Sequence, residues 1–285
     1  MSSDVIHVHL VLTAENQLDT PESLLTDFIN FTVNLVCDFI QKTVEDFIHC
    51  HQHIRSYLTP QRLRFDESVT IHRGVTDFSG LLANIRADGG HHVCFLSGGV
   101  DTTAISFFEH GIAVVALPKL NRHYKELLSC GSVDELRSIG LGVGAALHEI
   151  GHLLGAFHFA QGIMSEHSNA ISLCYGDKDG SAVEAVEPIP FFDNFSACLF
   201  ACGPFLNCGN GPSQSLSVRY KISKDTVYIK CAHGILLIVI VKGTTYHDLK
   251  LYNDLPVEVT LRIREECWDL IQVYNAFHCV ENVSK

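Results

Sequence analysis

The sequence predicts a mixed α/β (α+β) fold, a twisted sheet with helices, followed by a small β-sandwich-like module. Three features carry that expectation. Strand-like and helix-like segments alternate in the first half. A glycine- and proline-rich stretch from Cys202 to Ser213 then interrupts the chain. Five short β-rich runs follow it. The expected division is a main domain over residues 1–205 and a β-rich module over 213–285, which 285 residues can support with one large core and one smaller core.

The elements follow in order. Ile6 to Leu12 is rich in β-branched residues and reads as an opening strand. Thr20-Pro21 supplies an N-cap and a proline at a first helical position. From Glu22 to about His51, Leu24, Leu25, Phe28, Phe31, Leu35, Phe39 and Val44 recur at three- and four-residue steps, the mark of a long amphipathic helix. His91–Leu96 and Ile112–Leu117 read as strands, with a turn at Gly98-Gly99 and a short helix over Thr102 to Glu109 between them. Ser132-Val-Asp-Glu135 is a capping box that opens a helix running toward His148. Gly140, Gly142 and Gly144 imply either a break in that helix or close packing against a neighbour. Past the linker, Leu216–Tyr220, Thr226–Cys231, Ile235–Val241, Val257–Ile263 and Leu270–Tyr274 read as strands.

Composition narrows the function. Hydrophobic residues make up 47% of the chain and charged residues 18%, a globular balance. A net charge of −12 argues against a nucleic-acid binder, whose footprint is basic. The longest strongly apolar run, Gly234 to Val241, is too short to span a bilayer. The first residues lack the basic and apolar pattern of a secretory signal, so we expect a cytoplasmic or nuclear protein that is not secreted, with its 11 cysteines reduced.

The chemistry concentrates in His148-Glu149-Ile150-Gly151-His152-Leu153-Leu154-Gly155-Ala156-Phe157-His158. On a helix, His148 and His152 lie one turn apart on the same side and can reach one ion. Glu149 sits beside the first ligand, placed to accept a proton from an activated water and pass it to a leaving amine. Gly155 permits a left-handed turn that brings His158 back toward the same ion. Three neutral imidazoles leave a fourth tetrahedral position open, the arrangement of a catalytic zinc site. One zinc ion is the expected cofactor.

Met164, the only methionine besides Met1, follows in Gly162-Ile163-Met164. The stretch from His148 to Met164 resembles the metzincin clan of zinc peptidases, whose motif is HExxHxxGxxH followed by a tight turn bearing a methionine. The resemblance implies that His148, His152 and His158 are zinc ligands, that Glu149 is the general base, and that Met164 forms an apolar floor beneath the metal. It also implies an upper α/β half before the zinc helix and an edge strand that pairs with an extended peptide substrate, for which His91–Leu96 and Ile112–Leu117 are the candidates. Phe159, after the third histidine, differs from the better-known branches, and no tyrosine lies two residues past Met164. In these respects the chain looks more like the poorly characterised, fungal-type intracellular zinc metallopeptidases.

Other clusters carry less. His49, Cys50, His51 and His53 suit a helix end, where histidines meet the negative dipole. Cys198, Cys202 and Cys208 lack the paired spacing of a zinc knuckle. The function expected is thus hydrolysis of peptide bonds in a peptide or protein substrate by metal-activated water. The alternative is a non-enzymatic interaction protein on a peptidase-like core, meeting a protein partner through its β-rich tail.

Overall fold

The computed structural model describes residues 5–14, 20–58, 60–97, 107–109, 111–165, 191–207 and 218–285. The turn expected at Gly98-Gly99 and the second half of the expected linker lie outside these residues. Two compact units form: Met1–Ile40, Leu63–Leu153 and Ala160–Phe192 make the first; Gln41–Arg62, Leu154–Phe159 and Asp193–Lys285 make the second.

The first unit is built on a six-stranded sheet of β1 (Val5–Thr13), β2 (Arg64–Phe65), β3 (Thr70–Val75), β4 (His91–Ser97), β5 (Phe107–Glu109) and β6 (Ile112–Ala116). Strand β1 is parallel to β2, β3 and β4, β4 is parallel to β6, and β5 closes one edge antiparallel to β6. Parallel strands need both faces covered, and this one complies. Val11, Cys94, Leu96, Ile112 and Val114 pack under Leu82 and Ile85 of helix α2 (Phe78–Asp88). The alternate positions Val8, Leu10, Val93, Phe95, Ala113 and Val115 are buried as well.

Two expectations are corrected here. Phe107–Glu109 is a strand, not the end of a helix, because it hydrogen-bonds across to β6. Neither His91–Leu96 nor Ile112–Leu117 is an edge: β4 lies between β1 and β6, and β6 lies between β4 and β5. Among the described residues, the outermost strand on that side is β5.

Helix α1 (Glu22–Cys50) forms as its periodicity predicts, burying Leu25, Phe28, Ile29, Val36, Ile40, Val44 and Phe47. By length and composition alone it is apolar enough to cross a membrane, but the buried stripe is that of a helix packed on a core. Thr20 does not cap it. Its hydroxyl donates instead to the Leu120 carbonyl at 2.8 Å, and the Pro21 carbonyl accepts the first helical N–H groups.

Two helices follow β6, α3 (Tyr124–Cys130) and α4 (Val133–Leu153), and α4 packs on β6 and β5. The capping box forms reciprocally. Ser132 Oγ accepts from Glu135 N at 3.3 Å while the Glu135 carboxylate accepts from Ser132 N at 2.8 Å. The helix runs unbroken through its glycines, and a Cβ at residue 142 would sit 2.8 Å from Pro118 Cδ, so close packing is the reason for glycine there.

In the second unit, helix α5 (Asn194–Cys202) starts at Asp193, whose carboxylate accepts from Phe195 N and Ser196 N. Seven strands follow: β7 (Val218–Ser223), β8 (Thr226–Cys231), β9 (Ile235–Lys242), β10 (Thr245–Leu251), β11 (Glu258–Arg262), β12 (Leu270–Asn275) and β13 (Val280–Ser284). They make two antiparallel sheets, β10-β9-β12-β13 and β11-β8-β7. Both sheets contribute to one core around Trp268, with Val227 and Ile229 from one and Ile238, Ile240 and Ile271 from the other.

Candidate metal centre

Helix α4 delivers the first two histidines. At a spacing of four residues they project from the same side, and their Nε2 atoms lie 3.2 Å apart with the rings nearly perpendicular at 85°. Two nitrogens bound tetrahedrally to one zinc would be roughly 3.3 Å apart. His148 Nδ1–H donates to the Ile163 carbonyl at 2.7 Å. A carbonyl only accepts, so this bond places the proton on Nδ1 and makes Nε2 the nitrogen that would face a metal. The His152 ring lies against Phe108 of β5, with centroids 5.9 Å apart and planes at 28°.

The helix then ends, and Gly155 takes φ +97°, a left-handed conformation that costs glycine no Cβ clash. Three residues on, a ring nitrogen of His158 joins those of His148 and His152, with all three ligand atoms within 4.8 Å of one another. Among the described residues this is the one group of His, Cys, Asp or Glu side chains able to hold a metal. Three imidazole nitrogens at that spacing fit a zinc ion and leave an open coordination position.

Glu149 is 7% exposed, and burial pushes its carboxyl up to about 7. The turn after His158 is tight: the Gly162 carbonyl accepts both Ser165 N at 3.1 Å and Ser165 Oγ at 2.7 Å, with Ile163 and Met164 between them. Met164 is fully buried against α4. A Cβ on Gly151 would come within 2.6 Å of Met164 Sδ and 3.3 Å of Phe192 Cε1. The glycine between the two helical histidines is therefore what lets the methionine sulfur approach the helix, a role the motif spacing alone does not reveal.

Among the described residues the remaining sequence candidates do not form a second metal-holding group. Cys198 and Cys202 are buried one turn apart inside α5, where their mutual hydrogen bond and burial hold the Cys198 thiol well up, and Cys208 lies outside the described residues. His51 stacks on Phe47 and its Nδ1–H donates to the Phe47 carbonyl, which accounts for it as a helix-end residue.

Sequence reasoning passed over one histidine cluster in the first unit. His9, 8% exposed, is within 3.0 Å of His72 on one side and of His92 on the other, and His92 Nε2–H donates to the Gly89 carbonyl at 2.9 Å. The alternation His7-x-His9 on β1 was the available signal: two imidazoles on one strand face.

A helix carrying two histidines and a buried carboxyl, a turn returning a third, and a methionine packed on the helix make up a candidate metal centre. A family model named Metallopep, described as a putative peptidase family, matches residues 125–181, from α3 through all three histidines and Met164. Together with the histidine group, that match supports a metallopeptidase family for this chain. No curated protein matches it.

Proposed function

We propose that the protein is a zinc-dependent endopeptidase of the metzincin type. The observation that carries this reading is the convergence of three imidazole nitrogens within 4.8 Å, two of them 3.2 Å apart, at the end of a helix that also holds Glu149. When bound, zinc supplies Lewis-acid activation of water and of the scissile carbonyl. His148, His152 and His158 hold it. Glu149 accepts the proton released as water adds to the carbonyl carbon, and returns it to the departing amine as the C–N bond breaks, yielding a carboxylic acid and an amine. Met164 floors the site by packing on Gly151.

The β5 edge supplies the substrate surface in this reading. It is antiparallel to β6 and carries Phe108, 39% exposed and stacked on His152, so an extended peptide adding to that edge lies next to the metal ligands. The two sheets that share the Trp268 core support reading the tail as a β-sandwich.

The test is digestion of a peptide library by zinc-loaded wild type and Glu149→Ala, with metal content measured on both. The expected result is cleavage by wild type, and no cleavage by the variant at unchanged zinc content. Zinc retained by a wild type that cuts nothing would instead favour an interaction protein on a peptidase-like core.

A further inference from the structure

Within the second unit, the segment bearing the third histidine is tied to the β9–β10 hairpin. His158 N donates to the Thr244 carbonyl at 3.0 Å, and Tyr246 N donates to the His158 carbonyl at 3.4 Å, a short parallel pairing to the start of β10. One residue earlier, Phe157 N donates to the Tyr246 hydroxyl at 2.9 Å, and the two rings meet edge to face at 5.5 Å. The side chain of His158 is engaged as well: its Nδ1 lies 3.4 Å from Thr244 Oγ1. The hairpin turn is pinned from its other side, where Asp269 accepts from Gly243 N at 2.9 Å and pairs with Lys242 at 2.9 Å.

We propose that Thr244 is the positioning residue for the third metal ligand. The logic is that of the His148–Ile163 bond. A metal-ligating imidazole binds through one nitrogen and gives the N–H of the other to a fixed acceptor, which sets ring orientation and raises ligand basicity. For His148 the acceptor is a carbonyl on the turn bearing Met164. For His158 it is the Thr244 hydroxyl, and the main-chain bond to the same threonine fixes the distance from which that hydroxyl acts. Nδ1 of His158 thus holds the proton and Nε2 faces the metal. Of the three ligands, His158 alone lies outside a regular helix, so its entropy of placement is the largest of the three and an external clamp matters most there.

This inference rests on the zinc-site reading, and its test separates the two. Thr244→Val removes the hydroxyl and keeps the shape and the main-chain bond; Thr244→Ser keeps the hydroxyl. Zinc affinity of the full chain, measured by competition with a chromogenic chelator, is expected to weaken about 10-fold or more in Thr244→Val and to stay within about threefold in Thr244→Ser, with the thermal midpoint of the metal-free protein unchanged. Equal affinity in wild type and Thr244→Val overturns the proposal, whereas a wild type that binds no zinc overturns the zinc-site reading itself. A second measurement needs no variant: long-range nitrogen–proton NMR of zinc-loaded wild type is expected to show the His158 proton on Nδ1. A proton on Nε2 would overturn the assignment even if Thr244→Val failed to fold.

Discussion

Glu149 is 7% exposed, and burial by itself holds its carboxyl near the neutral, protonated form. A divalent cation on the adjacent imidazoles favours the ionised form instead. In the proposed reaction the side chain's value therefore lies in where its oxygens sit, which a one-methylene change can isolate. Glu149→Asp keeps the charge and withdraws it, so peptide cleavage is expected to fall about 10²-fold or more at unchanged zinc content; retention of full activity would remove Glu149 from the base role. Gly151→Ala tests the packing beneath the ligands. Its Cβ would press on a fully buried methionine and on Phe192, and overpacking of this kind costs about 1–3 kcal/mol, readable as a lower urea midpoint. A wild-type midpoint would mean that Met164 has room to move aside. At this scale the grouping of the three histidines and the turn at Gly155 were legible because their spacing along a helix and turn is itself the signal. Gly151 and Thr244 were not, because their partners, Met164 and His158, meet them only through tertiary structure.

Strand and helix signals were uneven in the same way. Helix α1 and the capping box at Ser132 rest on local chemistry, and both appear in the fold as read. Phe107–Glu109 misled because three residues carry no period, and only pairing with β6 decides them. Strand β10 escaped notice because its alternation is broken by a register shift between Tyr246 and Asp248, the irregularity of a bulge. Helix α2 is short, with only Leu82 and Ile85 buried. The histidine chain across β1, β3 and β4 has a consequence for stability. The Gly89 carbonyl requires N–H on His92 Nε2, so His92 Nδ1 accepts from His9 Nε2–H, and His9 Nδ1 in turn accepts from His72. All three imidazoles are neutral in that arrangement. Burial, then neighbouring His92, His72 and His7, lower His9 from 6.5 to about 4, and burial lowers His72 and His92 too; Asp66, bonded to His7, and Asp88 oppose the shift. The unfolded chain takes up protons near 6.5 while the folded chain resists, so this stability is present above about 6.5 and is lost as pH falls toward 4. For His9 the displacement corresponds to about 3 kcal/mol. Urea unfolding of the metal-free protein between pH 7 and 4 is expected to show that slope in wild type and a flatter one in His9→Leu. Parallel slopes would show that the chain of imidazoles does not govern the acid response.

For the molecule as a whole, a metal held as proposed would be a stabilising ligand as much as a reagent. A ligand at 100 times its dissociation constant adds about 2.7 kcal/mol to the folded state. For a protein of this size that is a thermal midpoint higher by about 4–5 °C, which a chelator should abolish. The sequence indicated an α/β portion ahead of a β-rich portion. It did not indicate that the second unit carries His158 and the hairpin that holds it, because a contact between residues 158 and 244 leaves no trace in local pattern. The measurement that bears most directly on the account is the zinc content of the purified full chain beside that of His152→Ala, after dialysis against metal-free buffer. One zinc per wild-type chain is expected, with near-complete loss in the variant. A wild-type chain holding no more zinc than His152→Ala would contradict the shared ion on which the site depends.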